Sequence, residues 1–142
     1  MEGKSIHAVV RIQDRDHRRL VGDEIAGRLL AMLPGLERHS CESGSAHGIV
    51  AELTDTETAH ALEHLTLEIM ALAGSPRSLR GLTEWDFARD GKGVFRVSVD
   101  YDRDDVAVGA IRVARDVLEW VMGQGASVDI ETAVTRLWAL RG

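Results

Sequence analysis

His60, Glu63 and His64, three residues within five positions, carry the clearest chemical signal in the chain. Residues four apart on a helix stand one turn apart on one face, so two imidazoles at 60 and 64 can converge on a single metal ion. Glu63 lies beside them and can take a proton from water at that metal without being a ligand. The chemistry implied is hydrolysis at a zinc centre, with Glu63 as the catalytic base. Two imidazoles do not complete such a centre, since a structural zinc takes four protein ligands and a catalytic one takes three plus water. Cys41, His39 and Glu68 are the candidates for the third place. His39 and Cys41 are two apart, so an extended backbone points both the same way. Glu68 is two turns from His60 and would reach a shared ion awkwardly. Spacing narrowly favours Cys41, with Glu68 orienting His64 from behind and His39 as an alternative. A single cysteine is as often a small buried apolar residue, and that reading of Cys41 stays open.

These side chains need a helix to align them, and the sequence supplies one. Thr54 and Glu57 have capping-box spacing, and Gly74 followed by Ser75 and Pro76 marks a stop. At about 100° per residue, Leu62, Leu65, Ile69 and Leu72 gather on one side and His60, Glu63, His64 and Glu68 on the other. The polar side reads either as a solvated face or as a site. Leu67 and Ala71 fall on it and imply that it is partly covered.

Around this helix the pattern predicts a strand from Ile6 to Gln13 and a helix opened by Asp14 or Asp16, with Leu20, Val21, Ile25, Leu29 and Met32 apolar. Pro34 and Gly35 stop it. A polar stretch from Glu37 to His47 reads as a loop, and Gly48 to Leu53 as a short strand. A further strand is expected between Gly81 and Phe87, then a turn through Asp90, Gly91 and Gly93. Phe95, Val97, Val99 and Tyr101 alternate with polar residues as a strand should. Asp104 or Asp105 opens a long helix with Val106, Ala110, Val113, Val117 and Val121 inside, and a last helix carries Ile130, Val134, Leu137 and Trp138. The order implies an α+β fold, a mixed sheet with helices on one face, forming one domain over residues 1–142.

Composition narrows the function classes. A net charge of −6, with signs mixed along the chain, argues against a nucleic-acid partner. One cysteine excludes an internal disulfide framework. No stretch is apolar and long enough to cross a bilayer, and the expected location is the cytoplasm. Trp85 and Trp138 look exposed, and a homo-oligomer is compatible with them.

The H-x-x-E-H order is that of the inverted zinc hydrolases. More broadly, Leu33-Pro34-Gly35-Leu36, His39-x-Cys41, Gly48, and His60-x-x-Glu63-His64-x-x-Leu67-Glu68 running to Leu72-Ala73-Gly74 resemble the N-terminal domain of cyanophycin synthetases. Gly81-x-Thr83 and the strand ending in Asp100-Tyr101 are similar too. The resemblance implies a setting in the metabolism of cyanophycin, an aspartate polymer bearing arginine on its side-chain carboxylates. In some synthetases it implies a metal-dependent hydrolase of that polymer, in others a binding or structural module. The chain has no phosphate-binding G-x-x-x-x-G-K-[ST] loop and no room for ATP-grasp or Mur-ligase-like domains, so synthetase chemistry is not expected of it. The segment Glu84-Trp85-Asp86-Phe87 departs from the family pattern. Two function classes follow: a zinc-dependent hydrolase acting on peptides or an arginine-bearing aspartyl polymer, and a catalytically silent polymer-binding or assembly module. A metal-free structural relic is the third reading.

Overall fold

The computed structural model describes residues 4–39 and 52–142. In chain order the elements are β1 (Lys4–Arg11), β2 (Arg19–Val21), α1 (Asp23–Met32), β3 (Asp55–Glu57), α2 (Thr58–Leu72), β4 (Gly81–Trp85), the single-turn α3 (Phe87–Asp90), β5 (Val94–Tyr101), α4 (Asp104–Val121) and α5 (Ile130–Ala139). Short 3-10 segments occupy Arg15–His17 and Pro34–Arg38.

The period-two pattern of the two long strands decides the main sheet. Ile6, Ala8 and Val10 of β1 stand opposite Val99, Val97 and Phe95 of β5, and these apolar partners face inward together. The sheet order is β1-β5-β4. Helix α2 packs on β4 and β5, α4 packs against α2, and α5 rests on α4. The fold is α+β with helices on one face. Its strand pairing differs from the mixed sheet expected, because every pair among the described residues is antiparallel. For β4 and β5 the cause is the short link through α3, since a parallel pair needs a crossover of roughly a dozen residues or more.

Two local expectations are corrected. Leu20 and Val21 do not belong to the first helix. Asp14 caps only one 3-10 turn, through Asp16 N–H at 2.9 Å, and Arg19–Val21 then pairs with Asp55–Glu57 as a two-stranded ribbon. Leu20 reaches the core from that ribbon. The capping box does not form either. Glu57 is drawn to Arg19 across the ribbon, and the first turn of α2 is tied down by Thr58, whose N–H and hydroxyl donate to Arg18 O (2.9 Å) and His17 O (2.6 Å). Of the strand expected at Gly48 to Leu53, only Glu52 and Leu53 are described, and neither is in a strand.

Helix α2 is buried on two sides. Leu62, Leu65, Ile69 and Met70 enter the main core, while Leu72 is half exposed at the end. The opposite side is nearly as closed, with Glu63, His64 and Glu68 all buried. Its C-terminus is clasped by the chain end: Trp138 Nε1 donates to Leu72 O (2.7 Å) and Arg141 Nε to Ala73 O (2.5 Å). Arg141 also pairs with Asp102 (2.9 Å), which accepts from Ser75 Oγ (2.7 Å). No helix among the described residues is long and apolar enough to cross a membrane.

Candidate metal centre

The polar side of α2 converges as the four-residue spacing requires. His60 Nε2 and His64 Nε2 are 3.2 Å apart, and Glu63 Oε2 is 3.7 Å from His64 Nε2. One donor atom from each of the three residues lies within 4.8 Å of the others. Burial first, then His60 and His39, pushes His64 down to about 3, so its imidazole is neutral and offers a lone pair.

The hydrogen bonds behind His64 fix where that lone pair points. His39 Nε2 lies 2.9 Å from Glu68 Oε1, and His39 Nδ1 lies 2.9 Å from His64 Nδ1. Burial raises the Glu68 carboxyl, but hydrogen bonds from His39 and Arg77 outweigh it and hold the group below its ordinary value. An ionised carboxylate only accepts, so His39 donates to it from Nε2, and with a single proton on that ring Nδ1 accepts. In that arrangement His64 donates from Nδ1, which turns its Nε2 lone pair toward His60 and Glu63. Arg77 anchors the far end, donating to Glu68 at 2.7 and 3.2 Å. The chain Arg77–Glu68–His39–His64 is the carboxylate–histidine support known behind metal-bound imidazoles, lengthened by one ring.

His60 has two ways to complete this chain. With its proton on Nδ1, toward Thr56 Oγ1 (3.1 Å) and the Glu52 carboxylate (3.8 Å), two lone pairs face each other at 3.2 Å. Such a pair calls for a cation, and two imidazoles on one tetrahedral zinc stand roughly 3.3 Å apart. With Thr56 donating instead, His60 Nε2–H closes onto His64 and no cation is needed. The Glu52 carboxylate favours the first arrangement, and the donor set fits zinc.

Two glycines give the carboxylates their places. A Cβ on Gly81 would stand 2.5 Å from Glu63 Cγ, and one on Gly35 would stand 2.1 Å from Glu68 Oε2. Thr83, on β4, donates to Glu63 Oε1 at 2.8 Å and leaves Oε2 toward the imidazoles. These contacts account physically for the Pro34-Gly35 and Gly81-x-Thr83 signatures.

The site opens into a pocket of about 840 Å³ between α2 and the 76–83 segment, lined on one side by His39, His60, Glu63 and His64. The sequence profile of the cyanophycin synthase-like N-terminal domain matches residues 10–123. The chain belongs to this family. A search of curated proteins found no match.

Within this cyanophycin synthase-like domain, His60, Glu63 and His64 are brought together, and His39 and Glu68 stand directly behind them. Cys41 lies outside the described residues. Arg77, Thr83, Thr56 and Glu52 join the site without having been singled out from sequence. Only Thr83 carried a signal, through its place in Gly81-x-Thr83.

Proposed function

We propose that this domain is a zinc-dependent hydrolase of peptide or amide bonds, with His60 and His64 as ligands and Glu63 as general base. The observation that carries the reading is the pair of Nε2 atoms 3.2 Å apart beside Glu63 Oε2, in a pocket wide enough for a peptide. When bound, zinc supplies Lewis acidity toward water and toward a substrate carbonyl. Glu63 Oε2 takes the proton of the attacking water and returns it to the leaving nitrogen, while Thr83 holds Oε1. His39 spends both ring nitrogens on His64 and Glu68, which makes it a support for His64 and leaves Cys41 as our candidate for the third ligand. The family setting suggests an arginine-bearing aspartyl polymer or a related isopeptide as substrate. A silent binding module is the second reading, favoured by the Thr56 hydroxyl, which permits the network to close without a cation.

The test is a side-by-side comparison of wild type, His60→Ala, His64→Ala and Glu63→Gln, loaded with zinc, dialysed, and assayed for metal and for cleavage of aspartyl-arginine polymer and short isopeptides. Wild type should keep stoichiometric zinc and both His variants should lose it. Glu63→Gln should keep zinc and lose turnover by about 100-fold or more. A wild-type protein that retains no zinc removes the hydrolase reading. Zinc without cleavage in any variant selects the silent module.

A further inference from the structure

The turn that leaves α2 is held by α5 and by Arg141, and that turn leads directly into Arg77. The final carbonyls of a helix have no partner within it. Here Trp138 Nε1 donates to Leu72 O at 2.7 Å and Arg141 Nε to Ala73 O at 2.5 Å. Gly74 follows at φ +100°, against the Trp138 ring, where a Cβ would stand 2.8 Å from Cη2. The buried Ser75 hydroxyl accepts from Arg141 Nη2 (2.9 Å) and donates to Asp102 (2.7 Å), which Arg141 grips as well. Leu72, Ala73, Gly74 and Ser75 thus all meet Trp138 or Arg141. Pro76, whose ring fixes its φ, joins this turn to Arg77. Arg77 is exposed, yet both of its terminal nitrogens meet the fully buried Glu68, at 2.7 and 3.2 Å. An exposed arginine gives up side-chain freedom to hold one geometry, so a two-point contact of this kind depends on where the backbone starts it.

We infer that Trp138 and Arg141 are positioning residues for the metal centre: they fix the 72–75 turn, the turn fixes Arg77, and Arg77 keeps Glu68 in place behind His39 and His64. The inference rests on the zinc reading proposed above and extends the support of the site to residues outside the pocket lining. Its mark is coupling without contact. Two guanidinium groups do not bond one another, so any dependence of Arg77 on Arg141 must pass through the turn. A clasp that only stabilised the fold would leave the two arginines independent.

The experiment is a double-mutant cycle in the full chain with Arg141→Gln and Arg77→Gln, read in two ways. Competition with a chromophoric chelator gives zinc affinity, and urea titration gives the folding constant of the zinc-free protein. Arg141→Gln should weaken zinc binding about 10-fold in the wild-type background and less than about 2-fold once Arg77→Gln is present. Phe87→Ala, which removes a ring packed on Phe95 beyond the other end of β4, should lower stability and leave zinc affinity within about 2-fold. In zinc-free protein, the factor by which Arg77→Gln lowers the folding constant should shrink at least about 3-fold when Arg141 is already replaced. Ser75→Ala, which removes one hydroxyl from the clasp, takes the place of Arg141→Gln in the cycle should that variant not fold. Independent effects of the two positions in zinc-free protein overturn the inference, as does a loss of zinc affinity in Phe87→Ala equal to that in Arg141→Gln. The two failures separate: a wild type that keeps no zinc sinks the hydrolase while the zinc-free cycle still decides this inference, and bound zinc with independent arginines sinks only the inference.

Discussion

Gly35→Ala tests whether the buried Glu68 is locked in place. The new Cβ would fall 2.1 Å from Glu68 Oε2, 2.7 Å from Cδ and 3.0 Å from Oε1. Ordinary contacts lie at roughly 3.5 Å, so the overlap exceeds about 1 Å. A surface carboxylate would swing away. Glu68 is fully buried, and its oxygens are held by His39 and twice by Arg77. Relief must break one charge-assisted hydrogen bond, worth about 1.5–3 kcal/mol, or strain the surrounding packing by about 1–3 kcal/mol. Taking the lesser route with partial relaxation, the loss should be about 2 kcal/mol. With a urea slope near 2 kcal/mol/M, the midpoint would drop by about 1 M. Glu68→Asp supplies the check, because it withdraws the carboxylate by one methylene. The double variant should be more stable than the sum of the two single losses predicts, by at least about 1 kcal/mol. A Gly35→Ala protein within about 0.5 kcal/mol of wild type, or strictly additive losses, would refute the locked carboxylate.

Three further outcomes are expected. Glu68→Gln should weaken zinc binding by about 10- to 100-fold, measured by competition with a chromophoric chelator, because His64 loses the charge behind its tautomer; unchanged affinity would detach Glu68 from the site. Thr83→Val should leave zinc content intact and lower turnover by about 10-fold through a misplaced Glu63, and full turnover would show that β4 does not aim the base. The Arg141 guanidinium holds Asp102 down at about 2, from an ordinary 3.8. A depressed carboxylate stabilises the fold above its unfolded pKa, and the effect fades as pH falls from about 4 to about 2. Asp102→Asn should therefore cost about 1 kcal/mol at pH 6, allowing for partial solvent screening, and only a small fraction of that near pH 2, where the native carboxyl is half protonated. Urea midpoints across that range measure it, and an undiminished gap at pH 2 contradicts the clasp.

Legibility from sequence followed the range of the forces involved. Strand β5 was plain because each of its inward positions is apolar and Arg96, Ser98 and Asp100 between them are polar, and α2 and α4 because their apolar residues keep helical spacing. Leu20 and Val21 misled because they fit a helical stripe as well as a ribbon, and the partner that decided between them, Asp55–Glu57, is over thirty residues away. Glu57 misled in the same manner, since a local capping role lost to a distant arginine. In the site, the His60–Glu63–His64 group is local to one helix and was readable. Its supports come from other elements: His39 follows the 3-10 turn, Arg77 precedes β4, and Thr83 lies within it. Only folding brings them to α2.

Because α2 is packed on both sides, its two faces are mechanically one. A volume change at Leu65 or Ile69 shifts the helix axis and with it the two imidazoles, so repacking the core is also retuning the chemistry. The opposite wall is constrained at fewer places, chiefly Arg77 and Gly81, which hold Glu68 and make room for Glu63. Ser78 and Leu82 are exposed and face the same pocket from outside the core. An engineer seeking a new substrate should hold α2, Arg77 and Gly81 constant and vary Ser78 and Leu82.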